Sequence, residues 1–182
     1  MDNMSGSCKY VFALYSYDGV EPGDLSFKAG DLLGVAKVPT KDECWVQAVN
    51  PRTGCKGDVP ANYVTAEQGY SAALDVFKPM DRFGAETLLN SPLYEASFNY
   101  VIRPSRDNKT LALSVKNPPG GIKHFKFHFD INRKKCFIFQ EEQFDTIEDL
   151  IIHYMDNPLQ DAGTLQAYKP FNTSPPKAND EA

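Results

Sequence analysis

Arg103 has the most demanding chemistry in the chain. It stands in Tyr100-Val101-Ile102-Arg103-Pro104-Ser105, a strand-like run read as a central strand of its sheet. A permanent charge between Ile102 and Pro104 needs an anionic partner, because an unpaired buried charge costs several kcal/mol. A guanidinium is a planar fork that grips two oxygens of one anion, which an ammonium does not do. From residue 103 to 135 basic side chains outnumber acidic ones nine to two, whereas 136–182 carry two against nine. In a chain of net charge −5, one basic block suits a local anion, while an extended polyanion would meet repulsion from the rest of the surface.

Two other arrangements offer chemistry. In Lys123-His124-Phe125-Lys126-Phe127-His128-Phe129 the phenylalanines alternate with basic or imidazole side chains. A strand displays them on one face, and such a face can stack single-stranded nucleic acid. Against that alternative stand the acidic C-terminal segment and the lack of the Gly-aromatic motifs of such proteins. His124 with Cys136 is a conceivable nucleophile pair, but nothing in the sequence orients them. Cys8, Cys44, Cys55 and Cys136 are widely spaced, with no metal-ligand spacing. A reduced, cytoplasmic protein without cofactor or metal is expected. His128 and His153 read as ordinary surface or core residues, and Arg133-Lys134-Lys135 as a solvated turn.

The elements that must position these residues fall into two groups. The 182 residues, 42% apolar and 24% charged, suit one large folded domain or two small ones. Residues 10–64 alternate short strand-like runs with connections such as DGVEPGD, PTKDE and NPRTG, rich in turn formers. A small all-β barrel of about five strands follows. Residues 68–73 are small or polar and suit a linker. DRFGAETLLN then reads as a short helix capped by Asp81. YVIRPS, TLALSVKN, IKHFKFHFDI and KCFIF read as strands, and Ile147, Leu150, Ile151 and Tyr154 mark an amphipathic helix capped by Asp145 or Thr146. This order implies an α+β sandwich, an antiparallel sheet with a helix on each face. The expected boundaries are 8–67, 68–73, 74–172 and a polar, Pro-rich, disordered tail at 173–182.

The first group resembles an SH3 domain. ALYSY at 13–17, the acidic turn with Asp18, Glu21 and Asp24, then LSF, Trp45 and VPANYV at 59–64 occur in the family's order. The resemblance implies an aromatic groove for a polyproline II segment, whose stiffness limits the entropy lost on docking. Tyr15, Tyr17, Trp45, Pro60, Asn62 and Tyr63 would form it. Asp24 and Glu21 would pair with a basic residue flanking the prolines. Asp58 replaces an aromatic usual two positions before the proline.

The second group resembles an SH2 domain over residues 75 to about 171. YVIRPS matches the Phe-Leu-Val-Arg-Glu-Ser signature, and Arg82, LSV at 113–115, KHFK at 123–126 and FDTI at 144–147 follow in order. The resemblance implies a phosphotyrosine pocket. Arg103 would fork onto the phosphate and Arg82 would clamp it from the first helix. Ser105 and the backbone of Arg106 and Asp107 would cap the other oxygens. His124 would support the pocket, Lys126 would lie along the tyrosine ring, and Phe125 would separate the pocket from the groove for following residues. Asp75 stands where the family has Trp, and Ala112 where it often has a phosphate-binding Ser. PMDRFGAE at 79–86 and the segment 157–171 look most like the SH2 domain of Vav exchange factors, while the domain order also resembles growth-factor-receptor adaptors and Src-type kinases. The implied function is a non-catalytic signalling adaptor, recruited to membrane-associated phosphotyrosine complexes. It would join tyrosine-phosphorylated receptors or scaffolds to proline-rich effectors. A fragment of a larger Vav-like exchange factor remains an alternative.

Overall fold

The computed structural model describes residues 9–107, 110–117 and 121–167. The expected tail and Cys8 lie outside them. The N-terminal barrel has five strands: β1 (Lys9–Ala13), β2 (Leu32–Val35), β3 (Trp45–Asn50), β4 (Cys55–Pro60) and β5 (Val64–Thr65), with a single 3₁₀ turn at Ala61–Tyr63. They pair antiparallel in the order β4-β3-β2-β1-β5. A Cβ on Gly57 would lie 2.5 Å from the carbonyl oxygen of Gly23. Only glycine lets the 19–24 turn approach the sheet that closely.

The apolar run Val11-Phe12-Ala13-Leu14 is continuous because both faces of β1 are buried. Val11 and Ala13 point into the barrel with Leu33, Val35, Ala48 and Val59. Phe12 and Leu14, on the opposite face, join a second core together with Leu32. The register agrees: Val11 faces Leu33 and Phe12 faces Leu32, and directly opposed residues share a face.

That second core belongs to the C-terminal unit. Its elements are α1 (Ala72–Asp75), α2 (Arg82–Leu89), α3 (Pro92–Glu95), β6 (Tyr100–Pro104), β7 (Leu111–Lys116), β8 (Ile122–Lys126), β9 (His128–Asp130), β10 (Lys135–Phe137) and α4 (Ile147–Asp156). β6, β7 and β8 form an antiparallel sheet in that order, and β9 and β10 form a ribbon. α2 covers one face of the sheet through Ala85, Leu89 and Val101. α4 covers the other through Ile147, Leu150, Ile151 and Tyr154, packed with Tyr100, Ile102, Leu113 and Val115. This is the expected barrel followed by an α+β sandwich.

Several details differ from the sequence reading. Arg103 lies on an outer strand of its three-stranded sheet, with β7 central and one parallel bridge from Phe77 to Ile102 on the outer side. Two short helices, α1 and α3, escaped the periodicity because one turn of helix has no period to read. Of the two expected caps of α4, Thr146 is the one used, accepting from the Asp149 N–H at 3.1 Å. Ser71 caps α1, and it is buried with Ala72 and Ala73, so the end of the 68–73 connection is part of the core.

Candidate functional site

The sheet register assembles the pocket. Arg103, Ala112 and Lys126 stand directly across β6, β7 and β8, and Val101, Ser114 and His124 form the next row on the same face. That face lies under α2, so Arg82 and Glu86, one helical turn apart, reach over it. Arg103 is 5% exposed. Its Nε donates to Ser114 Oγ at 3.0 Å, its Nη1 to the Pro104 carbonyl at 3.4 Å, and its Nη2 lies 3.3 Å from His124 Nδ1. No carboxylate of the described residues lies within ion-pair distance of it. Burial, with Arg82 second, draws its pKa below the usual guanidinium value, yet such a group stays protonated.

The hydrogens beneath the guanidinium have one consistent arrangement. His124 Nε2 is 2.8 Å from Glu86 Oε2. A carboxylate only accepts, so Nε2 carries the proton and Nδ1 is the acceptor. Ser114 Oγ, 2.8 Å from Nδ1, donates to it and accepts from Arg103. Burial holds the His124 pKa below its ordinary value and Glu86 opposes that shift, while the bond to His124 lowers the pKa of Glu86. Neither Ser114 nor Glu86 was singled out from the sequence. The only signal for them was position: Ser114 two residues after Ala112, and Glu86 four after Arg82 on one helix face.

The other expected pocket residues divide. Arg82 is exposed and lies 3.7 Å from Glu86. Arg106 and Lys126 are exposed. The hydroxyl hydrogen of Ser105 goes to Asp107 at 2.6 Å, and its oxygen accepts from the Thr110 N–H at 3.2 Å. In this arrangement the single donor of Ser105, the residue expected to cap an anion, is engaged within the loop. Phe125 is half-buried and packs edge-on against Phe139, which meets Tyr154, which in turn meets Phe144. This aromatic row lies on the opposite face from Arg103, as the alternation along β8 demands.

On the barrel, Tyr17 is the hub of an aromatic surface. Its ring meets Tyr63 at 5.6 Å and Trp45 at 6.4 Å, and Tyr15 meets Tyr63 at 5.4 Å. Trp45 is 48% exposed and stands opposite the buried Pro60 in the β3–β4 register. Asn62 and Glu21 are exposed. Tyr15 departs from the expectation by also packing on the core shared with the C-terminal unit. Asp24 is engaged within its own turn. One of its carboxylate oxygens accepts from the Tyr17 hydroxyl at 2.9 Å and from the N–H groups of Val20 and Glu21 at 3.0 Å. These bonds, the Glu21 N–H first, lower its pKa. Asp24 holds its own turn and the Tyr17 ring in place, and Glu21 is the freer acid.

Cys136 is fully buried, and burial raises its thiol pKa to about 12. It pairs with Phe129 in the ribbon, whereas His124 is engaged with Glu86 and Ser114, so the conceivable nucleophile pair is not formed. His128 stacks on Phe137, and His153 bonds Glu142 at 3.1 Å. Among the described residues there is no cluster fit to hold a metal, and no helix long and apolar enough to cross a membrane.

Comparison with known proteins matches both units. The family described as "Variant SH3 domain" matches residues 13–65, and "SH2 domain" matches 76–154. Among curated proteins, tyrosine-protein kinase Fgr from Mus musculus is 32% identical over 163 residues, covering 86% of this chain and 31% of the kinase. Tyrosine-protein kinase SPK-1 from Girardia tigrina is 29% identical, covering 76% of this chain and 25% of its own length. Tyrosine protein-kinase src-1 from Caenorhabditis elegans is 30% identical, covering 81% and 28%. The chain thus spans less than a third of these relatives. Among solved structures, the C-terminal SH3 domain of myosin IB from Entamoeba histolytica is 37% identical over 34% of this chain and 95% of that one, with a TM-score of 0.27.

Proposed function

We propose that this chain, an SH3 domain followed by an SH2 domain and homologous to the SH3–SH2 region of Src-family kinases, works as a non-catalytic adaptor. Its two domains imply phosphotyrosine and proline-rich peptide partners. The finer reading assigns the SH2 domain to phosphotyrosine segments of activated receptors or scaffolds, and the SH3 domain to proline-rich effectors.

The single observation that supports this most is Arg103: buried, charged, and without a carboxylate partner among the described residues. A phosphotyrosine brings about −1.5 to −2 charges and three acceptor oxygens. The unmodified hydroxyl brings neither, so phosphorylation of the partner is the switch. Arg82, Arg106 and Lys126 add positive charge around the mouth of the pocket. Tyr17, Trp45 and Tyr63 supply the facing aromatic surfaces on which a polyproline II segment docks. Holding both partners raises the concentration of one near the other without a chemical step.

Titration calorimetry with a phosphotyrosine peptide tests the pocket. The Arg103→Ala variant is expected to lose binding while keeping the wild-type circular dichroism spectrum. Unchanged affinity in that variant would overturn the assignment.

A further inference from the structure

β8 is an outer strand of its sheet, and its two faces carry opposite chemistry. His124 and Lys126 stand on the α2 face, in the rows of Ser114 and Arg103. Phe125, between them, turns to the α4 face. There it meets Phe139 at 5.7 Å, with the ring planes 71° apart. Phe139 meets Tyr154 of α4 at 6.4 Å and 74°. Phe125 and Phe139 are half-buried, so part of each ring is open to solvent. Tyr154 is 3% exposed, yet its hydroxyl makes no hydrogen bond to any of the described residues. A buried tyrosine hydroxyl ordinarily has a partner.

The turn that follows Phe139 brings acids to these rings. The Glu142 N–H donates to the Phe139 carbonyl at 3.1 Å, and Glu141 and Glu142 are both exposed. Burial, then Glu142 and Glu141, raises the pKa of Tyr154, so both carboxylates lie within electrostatic reach of its hydroxyl. Glu142 bonds the His153 ring at 3.1 Å, and among the described residues no Lys or Arg pairs with either acid. From residue 136 to 167 Asp and Glu number seven and Lys and Arg none. Lys135, the nearest base in sequence, bonds Asp145. The α2 face is the reverse, with Arg82, Arg103, Arg106 and Lys126 around its pocket. One strand edge therefore separates a cationic pocket from an aromatic groove rimmed by unneutralised acids.

We infer that the groove of Phe125, Phe139 and Tyr154, rimmed by Glu141 and Glu142, takes a Lys or Arg side chain of the partner, a few residues after its phosphotyrosine. The phosphotyrosine itself rests on the reading given above; the cationic second anchor comes from the groove's own rings and acids. The aliphatic stem of such a side chain covers the apolar rings while its head stays at the rim. A cation over a ring face is attracted by the ring's quadrupole. Its N–H groups meet the two carboxylates and reach the lone pairs of the Tyr154 hydroxyl. An apolar side chain would fill the same space but leave the acids and the hydroxyl unpaired, and an acidic one would be repelled. An extended segment laid across the outer edge of β8 then joins a dianion on one face to a cation on the other.

Fluorescence anisotropy on the full chain tests this, with synthetic peptides in which phosphotyrosine is followed by alanines and one position at a time is replaced by Lys, Glu or Leu. Lys is expected to bind roughly three- to tenfold more tightly than Ala at one position or two neighbouring ones, and more tightly than Leu there, with Glu weaker than Ala at the same place. Glu141→Lys combined with Glu142→Lys, on the exposed turn, is expected to invert the order, so that the Glu peptide binds more tightly than the Lys peptide. Tyr154→Phe keeps the ring, removes the hydroxyl and is expected to shrink the Lys gain. Circular dichroism checks that both variants fold as the wild type does. An equal gain from Lys at every position, the mark of attraction to the net charge alone, would overturn the groove. So would tighter binding of Leu than of Lys, or the same order in the wild type and the double variant, and the Arg103 site would stand in each case. If none of the phosphopeptides binds, the phosphotyrosine reading falls and the groove falls with it.

Discussion

Ser114 Oγ sits 2.8 Å from His124 Nδ1 and 3.0 Å from Arg103 Nε, so one buried hydroxyl links the histidine on the third strand to the guanidinium on the first. With Glu86 fixing the other ring nitrogen, the chain Arg103–Ser114–His124–Glu86 holds the guanidinium by its Nε, while Nη1 reaches the Pro104 carbonyl and Nη2 lies beside His124. The second strand thereby positions a group it does not carry.

Ser114→Ala is expected to weaken phosphopeptide binding roughly tenfold. It removes the acceptor of a charged donor, and leaving such a group unsatisfied costs about 1–3 kcal/mol. Calorimetry with the phosphotyrosine peptide measures it, and urea denaturation registers the accompanying loss of stability. Affinity equal to wild type would show that the guanidinium is held by other contacts.

Trp45→Lys is expected to weaken capture of a proline-rich peptide by at least about tenfold, as loss of a central aromatic anchor does. Phosphopeptide affinity stays at the wild-type value, because Trp45 is exposed on the barrel, where its ring meets Tyr17 and it pairs with Pro60 rather than with the Arg103 row. Fluorescence titrations with the two peptides separate the effects. Loss of both would mean that the substitution acts through the fold.

Arg52→Met is expected to destabilise the chain by about 3–5 kcal/mol, the usual cost of stranding one member of a buried ion pair, here the pair with Asp31 at 2.8 Å. Asp31 is 1% exposed, and its remaining partners are the Lys28 N–H and the Asn50 amide. Asp31→Asn in the same background is expected to recover part of the loss, since no charge is then stranded. Thermal unfolding of the two variants compares them.

Glu148 gives a pH dependence of definite sign. Burial, then Asp149, raises its pKa to about 7 from 4.5, and Ser71 opposes the shift. The folded state holds that proton more tightly than the unfolded one. The contribution is therefore fully present below about pH 4.5 and declines as pH rises toward 7. Glu148→Gln is expected to remove this slope and to be more stable than wild type at pH 7.5, with the difference shrinking at pH 5. Urea unfolding at the two pH values reads the difference between the proteins, so the opposite contributions of Asp24 and Asp145, whose pKa values are lowered, cancel.

The division of the chain into a strand-rich half and a helix–strand–helix half was legible in the sequence, because turn residues and apolar periodicity are local properties. So was Arg103, since a permanent charge inside an apolar run is anomalous wherever it occurs. The same reading identified Tyr17, Trp45 and Tyr63, which the fold brings together. It did not distinguish Glu21 from Asp24 among the three acids of the 18–24 turn: Asp24 is engaged by Tyr17 and two backbone N–H groups, a role fixed by turn geometry rather than by residue type.

Strand register and the packing of one domain on the other were decided only by the tertiary structure. Ser114 and Glu86 gain their places through contacts across strands and from helix to sheet, which no local pattern encodes. The apolar outward face of β1, with Phe12 and Leu14, carried a trace of that packing as an unbroken apolar run, but that run is equally consistent with an ordinary buried strand. What covers such a face depends on residues more than a hundred positions away in α4, and hydrophobic burial, being non-directional, leaves no mark in the sequence of which surface will meet it.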